Sequence, residues 1–227
     1  MRRLHICFVF YLVYLTLPLQ SDAIDPKPHP EVRAEFFHSD AVISGVVVSQ
    51  EAEIDKNGDC IGWIYNIQVD KVFKGEAAHI IRVSTTNYSA RLMLEVGSAY
   101  LLFARQHDGI LMIYGGGNSA LLSESQDAIS EIEKIGSIPN GTIKGMVASR
   151  PGWTGVGGVI FDIHGRLGVY RVISDKSGWF EISVAPGQYS VKSLNPRIEV
   201  FDFSYDSPDG FYLHKGGCVM LQFVVDM

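Results

Sequence analysis

The sequence predicts a mainly β protein: a strand-rich first half closed by one helix, then a small antiparallel β-sandwich. Three observations carry that expectation. Val, Ile, Tyr and Phe recur at period two in short runs. Clusters of Gly, Pro, Asn and Asp separate the runs at short, regular spacing. A single amphipathic stretch, Ser123 to Gly136, divides the halves.

Residues 1–23 stand apart from this pattern. Arg2 and Arg3 precede an almost wholly apolar run, Leu4 to Leu19, and Ser21 and Ala23 put small residues three and one before a cut. That is a secretory signal with cleavage after Ala23. The run is about 15 residues, short of the ~20 a membrane-spanning helix needs. An uncleaved anchor is the alternative, and Pro18 and Gln20–Asp22 argue against it by ending the run early. Cleavage removes two arginines and one aspartate and takes the net charge from −6 to −7. An acidic chain lacks the basic face that phosphate contacts need, so no nucleic-acid partner is expected. The expected location is secreted or periplasmic, with no membrane span after cleavage.

The mature chain divides into 24–136, a linker 137–141 and 142–227. "EVRAEFFHSD" (Glu31–Asp40) favours a short helix, with Val32, Phe36 and Phe37 near helical spacing. "AVISGVVVSQEAEI" follows as a strand, with Val42, Val46 and Val48 on one face. Asn57-Gly58 signals a hairpin. Beyond it Trp63, Tyr65, Ile67 and Val69 alternate with a mostly polar face, the mark of a half-buried strand. "HIIRVST" and a hairpin about Asp108-Gly109 complete roughly five strands. In the dividing helix Ser123 is the expected N-cap, with Gln126 completing a capping box, Ala128, Ile129, Ile132 and Ile135 form the stripe, and Gly136 is the expected left-handed cap. Six short strands follow, from "TIKGMVAS" to "CVMLQFVV", punctuated by Pro151-Gly152, His164-Gly165, Lys176-Ser177-Gly178 and Pro186-Gly187.

Within that second half, "SDKSGWFEISVAPGQYSV" (Ser174–Val191) reads as two strands and two tight turns, with Tyr189 and Val191 returning beside Phe180, Ile182 and Val184. Asp175 can accept N–H bonds across its own turn, and Gly178 supplies a positive φ. With "GTIKGMVAS" this stretch resembles the carboxypeptidase regulatory-like, transthyretin-like sandwich. The match rests on Gly145 and Val147 (G-x-V), Asp175, Gly178 and Phe180 (D-x-x-G-x-F), and Pro186, Gly187, Tyr189 and Val191 (P-G-x-Y-x-V). These are turn and core residues, and the resemblance implies an accessory module.

The first half resembles the netrin-like domain of the tissue inhibitors of metalloproteinases. The phrases are "FFHSDAVISGVVVSQ", "YNIQVDKVFKGE", "EVGSAYLLFARQHDGILMI" and the helix "SESQDAISEIEK". The resemblance implies an OB-type five-stranded barrel with a closing helix. The inhibitory mechanism does not carry over: the family's chain begins with a cysteine, whereas the expected mature start is Ile24-Asp25-Pro26, and only Cys60 lies in this half. Cys60 and Cys218 can form a disulfide if the two halves pack with Cα atoms within ~7 Å; free thiols are the alternative.

No chemistry-bearing pattern emerges, and no catalytic, metal or cofactor-binding residue is expected. His5, His29, His38, His79, His107, His164 and His214 lack zinc-ligand spacing, although His38 and His79 could meet in space. There is no G-x-S-x-G elbow. "GGGN" (Gly115–Asn118) and "GVGG" (Gly155–Gly158) lack a Walker lysine and read as turns. "DKNGDC" hints at calcium, but Asn66 stands where the loop needs a glutamate. The acidic loop "DFSYDSPDG", with Asp202, Asp206 and Asp209, could take a cation or a basic partner. Asn87 and Asn140 fit the glycan-acceptor rule in a host that glycosylates. The expected function is that of an exported, non-catalytic binding or scaffold protein, presenting loops to a protein or glycan partner at the cell envelope or outside. A metalloproteinase-inhibitor-like protein working through a loop is the alternative, and a hydrolase is a distant third.

Overall fold

The computed structural model describes residues 30–87, 92–150, 152–200 and 206–226. The expected signal at 1–23 lies outside them, as do Ser89 of one glycan acceptor and Asp202 of the acidic loop. The protein is mainly β, in several sheets.

The chain opens with helix α1 (Val32–His38) and continues through β1 (Ala41–Ile54), β2 (Cys60–Lys74), β3 (Ile80–Thr86), β4 (Ala99–His107), β5 (Ile110–Ile113) and β6 (Ala120–Leu121). β1 pairs with β2, β2 with β3, β3 with β5, β5 with β4, and β4 with β1, so the pairings return to their start. All are antiparallel except β3–β5, which is parallel. β1 reaches two partners because it bends: its register with β2 shifts between Ser44 and Gly45. Gly45 is required there, since a Cβ would strike the Gln68 carbonyl.

The inside of the ring holds Ile43, Val47, Tyr65, Ile67, Val83, Tyr100, Leu102 and Ile113, with Trp63 and Val69 packed against them. Val42 and Val48, expected to share a face, both lie on the outer side. Ile43 and Val47 point inward, Val42 packs outward against helix residues, and Val48 is exposed. β1 is apolar on both sides where a helix covers its outer face, and there alternation does not distinguish the two.

Helix α2 (Gln126–Lys134) lays Ala128, Ile129 and Ile132 on Val42, Leu101 and Phe103, together with Val32 and Phe36 of α1. Its ends differ from expectation. A 3-10 turn, Leu122–Glu124, takes in Ser123, and the helix starts after Ser125. The Ser125 hydroxyl donates to the Leu121 carbonyl at 2.8 Å and caps no N–H. Gly136 lies in a second 3-10 turn, Ile135–Ser137, and has no positive φ. The Ser137 hydroxyl donates to the Lys134 carbonyl at 2.7 Å, so a side chain satisfies the helix end.

The second unit contains β7 (Gly141–Arg150), β8 (Thr154–Gly155), β9 (Ile160–Gly165), β10 (Gly168–Ile173), β11 (Trp179–Val184), β12 (Gly187–Ser193), β13 (Ile198–Val200), β14 (Phe211–Leu213) and β15 (Cys218–Asp226). One sheet runs β10-β9-β12-β14 and the other β11-β7-β15-β13. They share a core centred on Phe161, whose ring lies 4.7 Å from Phe180 and 4.6 Å from Phe223. Two expectations are corrected. β11 and β12 are not hydrogen-bonded neighbours; Pro186-Gly187 carries the chain from one sheet to the other. The second half is not wholly antiparallel, because β15 runs parallel to β7 from Cys218↔Thr142 onward. Side-chain alternation is the same in both directions, so period two alone left strand direction open.

Candidate functional site

The two units meet around α1, and several polar side chains converge there. Glu31, just before the helix, takes a 2.7 Å hydrogen bond from Lys144 of β7. Lys144 also lies 3.3 Å from Glu181. Burial alone would lower the Lys144 pKa, but the Glu31 bond and charge, followed by Glu181, outweigh it and hold the pKa above the usual lysine value. Arg33 bonds Glu131 of α2 at 3.2 Å and reaches the Gly216 carbonyl at 3.4 Å. Ala34 is buried against Cys218 and Met220, with Trp179 alongside. Lys74 donates to the Phe36 and Phe37 carbonyls, both at 2.8 Å, and so caps the end of α1.

Glu35 faces the other way and enters the "GGGN" loop. Its Oε2 accepts from the Asn118 backbone N–H at 2.6 Å and from the Asn118 amide at 2.7 Å. A Cβ at Gly117 would collide with this carboxylate. The loop, read from the sequence as a turn, is thus held by the chain's own Glu35 carboxyl group. The "GVGG" glycines serve close backbone packing: Cβ atoms at Gly155 and Gly157 would strike the Ser177 and Asp175 carbonyls.

At the far end of α1 a cavity of about 150 Å³ is lined by Phe37, His38, Asp206, Tyr212, His214 and Cys218, among others. His38 Nε2 lies 3.0 Å from Asp206 Oδ2. The His214 ring stacks on Phe37 at 4.6 Å and meets Tyr212 edge-on at 5.0 Å. Burial, then the charges of Lys74 and His38, lower the His214 pKa, which favours its neutral form. Histidine, aspartate and cysteine around one cavity resemble a nucleophile and its base. Burial, however, pushes the Cys218 thiol up to about 12 despite the opposing charges of Arg33 and Lys144. That upward shift weighs against a thiolate at Cys218. Among the described residues no three His, Cys, Asp or Glu side chains group as a metal ion would need.

The sequence had marked His38 and Asp206 separately, and the structure pairs them. His79 does not join His38; it sits at the β2–β3 turn, where its carbonyl accepts from Val69 at 2.9 Å. Asp209 lines a separate open recess with His164, Arg166 and Gln188. Both Asp55 carboxylate oxygens are engaged within their own turn, by the backbone N–H groups of Asn57 and Asp59 and the Asn57 amide. Cys60 and Cys218 are free thiols. Cys60 pairs with Ile54 at the end of β1 remote from α1, whereas Cys218 packs on α1 itself, so the fourteen-residue β1 separates them. Asn140 is exposed, and its carbonyl accepts from Gly216 at 3.0 Å.

The motif residues of the second half act on its backbone. Asp175 Oδ1 accepts from the Ser177 and Trp179 N–H groups at 2.9 and 3.0 Å, and Gly178 takes φ +86°. Gly145 lies opposite Phe180 and Gly165 opposite Tyr189, each beneath the aromatic ring of its partner. The Tyr189 hydroxyl donates to the Ala185 carbonyl at 2.7 Å, which fixes the approach to the Pro186-Gly187 crossing.

Fold and seam thus describe a mainly β protein whose two units are fastened by a short helix. No protein-family model matches the chain, and no curated protein matches it in sequence. Among solved structures it is similar to the Bacillus anthracis TIE protein (TM-score 0.32, 9% identity, 83% of this chain and 35% of that one). It is also similar to GBS52, the minor pilin of Streptococcus agalactiae (TM-score 0.30, 10% identity, 83% of each chain). A third is BcpA, the major pilin subunit of Bacillus cereus, as its D312A variant (TM-score 0.32, 10% identity, 82% of this chain and 59% of that one). The chain spans about a third of the length of the first. Likeness at these TM-scores carries no argument about function.

Proposed function

We propose that the chain is an exported, non-catalytic binding or scaffold protein, secreted or periplasmic, acting on a protein or glycan partner. Its first unit is then an OB-type, netrin-like barrel and its second a transthyretin-like sandwich. The closed order of strand pairings with parallel β3 and β5 supports the first assignment. The glycine–aromatic pairs supported by the Asp175 turn favour the second. The observation that supports the reading is the seam, whose polar side chains Lys144, Glu31, Arg33, His38 and Asp206 are engaged in bonds that hold the units together. Among the described residues no helix is long and apolar enough to cross a membrane. Capture of the tagged mature protein at native abundance, from envelope and from culture fluid, should return the same partner repeatedly. Repeated recovery of nothing from either source overturns the reading.

The closed strand order also keeps the inhibitor-like alternative in view. Titrating purified protein against a panel of zinc peptidases decides it, because no slowing at micromolar protein removes the idea.

A further inference from the structure

β10 is an edge strand, paired with β9 alone among the described residues. Its six residues keep an unbroken register from Gly168↔Gly165 to Ile173↔Ile160, with neither bulge nor proline. Natural sheets protect such edges with charges, prolines or bulges. β11, an edge of the facing sheet, does so by turning Glu181 and Ser183 outward. At the same alternate positions β10 exposes Val169 (57%) and Ile173 (59%), and the preceding turn exposes Leu167 (74%). Its one charge, Arg171, is tied back to Asp162 by Nε and Nη2 at 2.7 and 2.9 Å, and Nη1 lies outside that pair.

The apolar character continues across the outer face of the sheet. Ile173 lies opposite half-buried Ile160, whose carbonyl accepts from Leu194, itself 48% exposed. Among the described residues the charges on this face are Arg166, Arg171 and Lys192 against Asp162, which sits between Arg171 and Lys192 in register, and Asp209, which lines a recess with His164 and Arg166. Val169, Arg171 and Ile173 share one face, so this basic, apolar edge on a chain of net charge −6 is complementary to a segment that presents an apolar, an acidic and an apolar side chain in turn on that same face.

We propose that the free edge of β10 docks an extended acidic segment of a partner polypeptide, which joins the sheet β10-β9-β12-β14 as an added strand. Main-chain hydrogen bonds to β10 supply the attachment. Apolar side chains of the segment rest on Val169 and Ile173, and its carboxylates meet Arg166 and Arg171. This placement rests on the reading of the chain as a binding protein and names the surface it uses.

The test is amide exchange of the full mature protein with two blocked peptides matched in length to β10, both with serine at every second position and, at the positions between, valine alternating with glutamate in one and with lysine in the other. The glutamate peptide should slow exchange at β10 by about tenfold or more at saturation, with weaker binding at high salt. Val169→Glu should abolish the slowing. Arg166→Ala should weaken binding several-fold, and both exposed-site variants should keep wild-type exchange in the Phe161 core. Equal slowing by the lysine peptide, or none at β10 with either peptide, overturns the proposal. A dimer in sedimentation that Val169→Glu dissolves also overturns it, since a second copy would then occupy the edge. If β10 stays silent while native capture still returns a partner, only this placement fails. If capture returns nothing while the glutamate peptide still binds, the broader reading fails instead.

Discussion

Gly145 and Gly165 each lie under an aromatic ring from the neighbouring strand, Phe180 and Tyr189. The missing side chain lets the ring lie flat on the backbone, and Phe180 thereby reaches Phe161 and Phe223 in the core. Gly145→Ala should cost about 1–3 kcal/mol through overpacking, measured by urea unfolding. Gly58→Ala meets no neighbour and should cost about 1 kcal/mol, from its φ of +91° alone. Equal losses would show that the Phe180 ring moves aside freely. Asp175 supplies a separate test. The Ser177 hydroxyl and then the Trp179 N–H stabilise its carboxylate and lower its pKa below 3.8. A carboxyl whose folded pKa is depressed stabilises the protein above its unfolded pKa, near 3.9, and that support is lost as pH falls through the folded value. Asp175→Asn should therefore lower Tm at neutral pH and flatten the acid limb of a Tm-against-pH curve below about pH 4. An unchanged acid limb would remove Asp175 from the turn's stability.

At the scale of elements, α1 is short but every side of it is used. Val32 and Phe36 face α2, Ala34 faces β15, Glu35 enters the Gly115–Asn118 loop, and Phe37 stacks on His214. Seven residues make a marginal helix alone, so its ends must be tied from outside. Lys74 does this at the C-terminal end, and Gly75 follows at φ +78° where a Cβ would strike the Asp40 carbonyl. The Lys-Gly pair that closes β2 thus also sets the corner between α1 and β1. Lys74→Met should lower stability by about 1.5–3 kcal/mol in denaturant titration. A loss below ~0.5 kcal/mol would mean that water replaces the cap. Elements such as these were legible in the sequence wherever local chemistry dictates local form: α1, the β2 alternation, the Asp108-Gly109 turn with φ +48° and +85°, and the Asp175 turn. The core face of β1, the parallel course of β15 and the pairing of His38 with Asp206 were not legible. Each depends on a partner more than 50 residues away in the chain, and no local pattern encodes it. β13 and β14, three residues each, are too short to announce themselves.

At the scale of the molecule, the question is whether the two units unfold together. The seam joins them through the packing of Ala34 on Cys218 and Met220, the stacking of Phe37 on His214, and the Lys144–Glu31, Arg33–Gly216 and His38–Asp206 bonds. Three residues also separate β7 from the 3-10 turn that ends α2, and Gly216 at φ +68° packs on the Ile135 carbonyl, so the link between units is braced rather than slack. Units coupled this closely should unfold as one, with Trp63 of the first and Trp179 of the second reporting the same midpoint in single-tryptophan variants. Ala34 is wholly buried, so Ala34→Leu forces extra volume into the seam at a cost of about 1–3 kcal/mol. The variant should separate the two midpoints while each core persists. Acid should weaken the same seam. The His214 pKa is lowered in the folded protein, so the unfolded chain binds the extra proton first. Stability is full above the unfolded value near 6.5 and declines as pH falls below it toward the folded one. His214→Phe keeps a ring for Phe37 and Tyr212 to pack on and should remove that decline. Two midpoints already present in the wild-type protein, or a His214→Phe variant as acid-sensitive as its parent, would show that the units are neighbours without being coupled through α1.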